Sequence, residues 1–353
     1  WLWLYQFITS NHASRSTQKH YLSHERLKGS TAYHQKLSTK TQKPKNHTFS
    51  KSMNKTLITL SGPTASGKTA LSIQIAKALG AEIFSCDSRQ FYKEMSIGTA
   101  VPSETELKEV THHFIQHKSI QSPYSVGQFE ADAMDALTQY FEKQDFAVLV
   151  GGSGLYMHAV VEGIDKFPEV PEEIRIALGE RLETNGLEDL QNELQTLDPD
   201  HYQKMDIQNP SRVLRALGVS LAAGQPYSSF LGQQKAKRPF TVLPLTVDMP
   251  RTILYDRIND RVDEMINAGL LQEVESLYPH RDLNALQTVG YQEVFDFFDQ
   301  KIDFDEAIAQ IKQHTRHYAK RQMTWIRRKE SNAVQINPTI SDEDLVSILP
   351  KQS

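Results

Sequence analysis

Short apolar runs alternate with longer amphipathic stretches through most of the chain. Thr56–Ser61 (TLITLS) is apolar and β-branched and stops at Gly62-Pro63, which predicts a buried strand. In Ala70–Leu79 the residues Leu71, Ile75 and Leu79 recur at helical spacing along one face. Ala81–Cys86 (AEIFSC), Phe146–Val150 (FAVLV) and Phe240–Val247 (FTVLPLTV) predict further strands, with helical stretches between them. Such alternation implies an α/β fold, a parallel sheet flanked by helices on both faces. From Pro168 the texture turns to charged, amphipathic helical patches without a strand signal, so residues 168–208 read as a small helical insertion. It divides the core into a first part, 53–167, and a second, 209–330, which is largely helical from Thr252 to Lys329. Residues 331–353 read as a tail.

Composition and charge change this picture mainly at the N-terminus. Residues 1–52 hold nine Lys/Arg against the single acid Glu25, about +8, which leaves about −12 of the overall −4 for residues 53–353. A nucleic-acid partner must therefore be met by local basic patches. The segment 1–52 has no apolar period from which to build a core, and no complete secretory signal. It reads as a disordered or non-native extension ahead of a start at Met53; its Ser/Arg-containing, acid-poor composition keeps an organellar transit peptide open as the other reading. No run approaches the about 18 apolar residues of a membrane helix. The lone Cys86 excludes an internal disulfide framework and fits a reducing compartment, so a cytoplasmic protein is expected.

Gly62-Pro63-Thr64-Ala65-Ser66-Gly67-Lys68-Thr69 matches G-x-x-x-x-G-K-[ST] and sits between a predicted strand and a predicted helix, the context the motif requires. Its backbone N–H groups and the following helix N-terminus suit phosphate oxygens; Lys68 would reach a terminal phosphate and the Thr69 hydroxyl would ligate Mg²⁺. The motif fixes phosphate binding and leaves the reaction open. The strand FAVLV runs into Gly151-Gly152-Ser153-Gly154 with no carboxylate, which speaks against a motor-type ATPase. That glycine run is either a second turn near the ligand or simple strand-to-helix packing. Asp87 follows the next strand and should face the same crevice, since ligands of open α/β sheets bind at strand carboxyl ends.

Together GPTASGKT, Asp87-Ser88-Arg89-Gln90-Phe91-Tyr92 and GGSGLY closely resemble the tRNA dimethylallyltransferase (isopentenyl-pyrophosphate transferase) family. Further blocks carry the resemblance: Gly98-Thr99-Ala100, His112-His113, Tyr124-Ser125-Val126, the run from Asn209 to Leu217, Arg257 to Val262, Val289-Gly290-Tyr291 and Thr315 to Arg327. The resemblance runs from about Lys55 to Arg328. It implies a P-loop NTPase-like fold and transfer of a dimethylallyl group from dimethylallyl diphosphate to the exocyclic amine of adenosine 37, just 3′ of the tRNA anticodon. The implied partners are a tRNA anticodon stem-loop and the diphosphate, with Mg²⁺ as cofactor and a monomeric enzyme.

It also implies roles. Residues 62–69 would hold the diphosphate, and Asp87 would accept the amine proton as a catalytic base; a strand-end Asp that caps the next turn or holds Mg²⁺ through water is its other reading. Arg261 aligns with a pyrophosphate-contacting arginine. From spacing alone, Arg257 and Arg261 are one helical turn apart among Asp256, Asp260 and Asp263, a pattern that suits ordinary surface ion pairs. Contact with tRNA is implied for Asp87, Ser88, Arg89, Gln90, Ser153, Ser211, Arg212, Arg215, Thr288, Gly290, Tyr291, Lys320, Arg321, Gln322, Trp325 and Arg327. The basic and aromatic residues of 316–329 supply phosphate neutralisation in an otherwise acidic body; a solvated charged helix with inward aromatics is the other reading. His112 and His113 read as structural, because no metal-ligand set accompanies them. Val101, Gln116 and Gly218 depart from the family pattern, where Lys, an acid and Glu are usual. The other function open to a P-loop is a small-molecule or nucleoside kinase.

Overall fold

In the computed structural model, residues 55–233 and 237–351 are described; the segment 1–52 lies outside them. Strand β1 (Thr56–Ser61) leads through the glycine loop into α1 (Lys68–Leu79), followed by β2 (Glu82–Ser85), α2 (Glu104–Glu109), β3 (His112–His113) and α3 (Val126–Phe141). Then come β4 (Phe146–Gly151) and α4 (Gly154–Glu162). Four helices follow: α5 (Glu172–Asn185), α6 (Leu187–Leu197), α7 (Pro199–Tyr202) and α8 (Pro210–Ala223). After β5 (Thr241–Val247) the chain is helical through α9 (Arg251–Asn267), α10 (Leu270–Leu277), α11 (Gln292–Phe298) and α12 (Phe304–Lys329). It closes with β6 (Val334–Ile336) and α13 (Asp342–Ile348).

All pairings in the six-stranded sheet are parallel, in the order β3-β2-β4-β1-β5-β6. Both faces are covered, which is why β1 reads as a continuous apolar run. On one face Ile58, Leu60, Ile83 and Val148 pack against Leu71, Ile75 and Leu79 of α1. On the other, Leu57, Phe84 and Leu149 meet Phe129 and Leu137 of α3 and Met157 and Val160 of α4.

Two boundaries differ from the sequence expectation. The inserted helical layer does not stop at residue 208: Val213, Leu214 and Leu217 of α8 fill one small core with Leu178, Leu190 and Leu194 of α5 and α6. The start of α8 is set locally, by Pro210 in its first turn and the Asn209 side chain accepting the Arg212 N–H. Of the expected tail, 331–353, the described residues 331–351 are part of the core. β6 extends the sheet beside β5, and Ile336, Leu345 and Leu349 are buried against the α1 face. The pair His112-His113 forms β3, the sheet edge beside β2.

Candidate active site

The turn from β1 into α1 wraps the floor of a cavity of about 1260 Å³. Gly67 has φ 90°, and α1 begins with no side-chain cap and no acidic residue in its first turn, so its N–H groups stay open to an anion. Ala65 also stands in the left-handed region, at φ 61°. It packs against the cluster formed by Leu254 and Ile258 of α9 and Ala319 of α12. Lys68 Nζ donates to the Pro63 carbonyl at 2.6 Å. Burial pulls its pKa from 10.5 to about 8, with Asp87 partly opposing and Arg261 reinforcing the fall. Ser66 Oγ is buried with no partner in the protein, a spare donor inside the loop. These are the properties of a phosphate cradle.

Two arginines of α9 close over it. Arg261 Nη1 donates to Thr64 Oγ1 at 3.2 Å, and the Arg257 guanidinium lies over Gly67, 3.6 Å from where a Cβ there would stand. The surface ion pairs that spacing alone suggests do not form; Asp263 pairs instead with Lys312 of α12 at 2.7 Å. Arg257 thus belongs to the cradle as much as Arg261 does, a fact its local acidic neighbours concealed.

Asp87 lines the same cavity just beyond β2, where its Oδ1 accepts the Arg89 N–H at 3.1 Å. Its neighbours build the wall. The Arg89 guanidinium is spent on the carbonyls of Asn284, Ala285 and Gln287, at 2.9–3.1 Å, and so fixes the loop that brings Thr288 and Gly290 to the cavity. Gln90 Nε2 donates to the Thr99 and Ala100 carbonyls. Ser88 bonds Ser153 Oγ at 3.1 Å through both its N–H and its hydroxyl. Tyr318 of α12 lines the cavity with Asp87; burial pushes its pKa up to about 12, with the Asp87 charge adding to the shift.

Helix α12 presents His314, Thr315, Tyr318, Arg321 and Gln322 to the cavity, one face at helical spacing. Tyr318 belongs to the basic and aromatic stretch 316–329, without a site role of its own among those the family resemblance implies. Lys320 and Arg327 are exposed beside this face. Trp325 packs on α4, where a Cβ at Gly154 would come within 2.2 Å of the indole. Gly152 similarly admits the Gln322 amide. The glycine run 151–154 therefore packs against α12, and Gly151 also lines the cavity.

Other residues singled out from the sequence lie elsewhere. Tyr291 is fully buried, its ring against Gly98 and its hydroxyl donating to Glu273 at 2.6 Å. Glu273 also takes the N–H groups of Ser96, Ile97 and Gly98, which fixes the loop Gln90 holds from the other side; nothing in the local sequence marks it. Ser211, Arg212 and Arg215 sit on α8 in the inserted layer, outside the cavity lining. Arg215 stacks over the Phe167 ring at 5.0 Å.

A six-stranded parallel sheet flanked by helices, with the G-x-x-x-x-G-K-T loop after its first strand, defines a P-loop-like α/β fold. The family model described as IPP transferase matches residues 90–329, and the chain belongs to that family. It is 52% identical over 281 residues to the tRNA dimethylallyltransferase of Flavobacterium psychrophilum, covering 78% of this chain and 92% of that one. Among solved structures, the full-length tRNA isopentenylpyrophosphate transferase of Bacillus halodurans aligns at 33% identity and TM-score 0.62, over 83% of this chain and 94% of that one. A eukaryotic dimethylallyltransferase acting on tRNA aligns at 26% identity and TM-score 0.69, over 81% and 74%.

Proposed function

We propose that the protein transfers a dimethylallyl group from dimethylallyl diphosphate to the exocyclic amine of adenosine 37 in a tRNA anticodon stem-loop, releasing pyrophosphate. One observation carries this reading: a single cavity joins the phosphate cradle, the Asp87 carboxylate and the inward face of the basic helix α12. In the reaction the allylic C–O bond breaks, its electrons leave with the pyrophosphate, and the amine nitrogen forms the new C–N bond. Negative charge grows on the departing oxygens, where the loop N–H groups, Lys68, Arg257 and Arg261 stand; donors fixed around that charge favour the transition state. The amine becomes acidic only as the C–N bond forms, so Asp87 can take its proton late, with the ordinary basicity of a carboxylate. The target base must leave the loop stack to reach Asp87. Lys320, Arg321 and Arg327 are exposed, and in this reading their charges would meet the RNA backbone.

The donor set suits a Mg²⁺ held mostly by phosphate oxygens and water, with Thr69 as a protein ligand. Among the described residues no group of three His, Cys, Asp or Glu could cage an ion, and the buried, unpartnered Ser66 hydroxyl marks a loop that expects phosphate oxygens. Such an ion would neutralise the leaving pyrophosphate. No helix among the described residues is long and apolar enough to cross a membrane; the enzyme is proposed to act as a monomer in the cytoplasm.

Pyrophosphate release tests the reading. Release is expected only with dimethylallyl diphosphate and tRNA together. ATP consumed on a small acceptor without RNA would instead establish a kinase.

A further inference from the structure

We propose that Gln322 is a positioning residue of the diphosphate cradle and not an RNA contact, and that it links the RNA-facing helix to the P-loop. This rests on the activity proposed above. Gln322 lies in the middle of the basic segment of α12, yet it is only 6% exposed. Its Oε1 accepts the Thr64 N–H at 2.8 Å and its Nε2 donates to the Gly152 carbonyl at 2.9 Å. One side chain therefore spans the two turns that follow β1 and β4, neighbours in the sheet. A Cβ on Gly152 would stand 2.3 Å from Nε2, so the turn is glycine where the amide must enter.

Thr64 is pinned twice: its N–H by Gln322 of α12 and its hydroxyl by Arg261 of α9. The next residue, Ala65, holds a left-handed conformation that a free alanine avoids, and rests on the seat made by those two helices. The shape of the loop is thus imposed from outside it, by α9 and by α12, the helix proposed to meet the RNA. Lys320 and Arg321, adjacent on the same turn, are exposed while Gln322 points inward. RNA docking on that turn and diphosphate binding in the loop are connected through one amide.

Inorganic pyrophosphate and an unmodified anticodon stem-loop RNA are the probes, each titrated alone against the full chain, by calorimetry and by fluorescence anisotropy. Gln322→Met keeps the volume and orphans the Thr64 N–H and the Gly152 carbonyl. Its pyrophosphate Kd should rise about tenfold, with the RNA Kd held within about twofold. Gly152→Ala, which displaces the amide from the opposite side, should reproduce that pattern, and the double variant should add little to either single change. Gln322→Glu, which keeps the acceptor for Thr64 and loses the donor, should fall between wild type and Met. Loss of RNA binding with pyrophosphate binding intact would make Gln322 an RNA contact and overturn the proposal. Equal loss of both, or full additivity of the two single changes, would also overturn it. Wild-type protein that binds pyrophosphate without transferring the prenyl group would sink the activity and leave the brace intact.

Discussion

At the scale of single residues, the cradle is set by burial acting on one ammonium. Lys68 titrates near 8, against 10.5 for an unburied lysine, chiefly because burial disfavours its charge. The charge proposed to meet the diphosphate is present below that pH and lost as pH rises through it. The KM for dimethylallyl diphosphate should therefore climb above about pH 8, and Lys68→Arg, which stays charged, should flatten that limb even where it lowers kcat. Stability has the opposite slope. Between 8 and 10.5 the unfolded chain holds the extra proton, so this lysine's cost to folding is full below 8 and relieved as pH rises. Such a pH effect is invisible in sequence, whereas the strand–loop–helix unit around residues 62–69 was legible because its eight loop residues are contiguous. Arg257 was not, since its apparent partners lie next to it in the chain and its real neighbour, Gly67, lies far away.

At the scale of elements, α12 organises the site by inserting side chains into glycine gaps. Gly154→Ala would put a methyl within 2.2 Å of the Trp325 indole, and neither α4 nor α12 can yield cheaply there. The change should destabilise the fold by about 1–3 kcal/mol and shift the tryptophan emission, both read in one thermal melt followed by fluorescence. The long strands were plain in the sequence because a buried parallel strand leaves an apolar run several residues long. β3 and β6 span two and three residues, too short to show any period, and they exist only because β2 and β5 offer open edges. The α8 boundary was missed for a related reason. Its buried stripe of Val213, Leu214 and Leu217 is an ordinary helical pattern that does not say which core it enters.

At the scale of the molecule, the C-terminal segment makes the sheet whole. Removing residues 331–351 would expose the α1 face that Ile336, Leu345 and Leu349 cover. At about 1.5–3 kcal/mol for each buried side chain, the loss is comparable to the about 5–15 kcal/mol that holds a domain folded. The truncated protein should be insoluble or unfold well below the intact chain in calorimetry, although every cavity residue remains. The site draws on β1, β2, β4, α9 and α12, so it can be no more stable than the sheet that gathers them. That gathering is also the limit of sequence reading: the motifs name the parts, and long-range clamps such as Arg89 and Glu273 decide where they meet.

The central claim is that the cavity joins a diphosphate cradle to a base that serves a flipped adenosine. The direct measurement incubates the protein with Mg²⁺, dimethylallyl diphosphate and unmodified tRNA bearing adenosine at positions 36 and 37, then digests the RNA for mass spectrometry. A dimethylallyl adduct on adenosine 37 is expected, and Asp87→Ala should slow its formation by about 10²–10⁴ while leaving the tRNA bound. An adduct formed equally fast without the Asp87 carboxylate, or no adduct with wild-type protein that binds both substrates, would contradict the account.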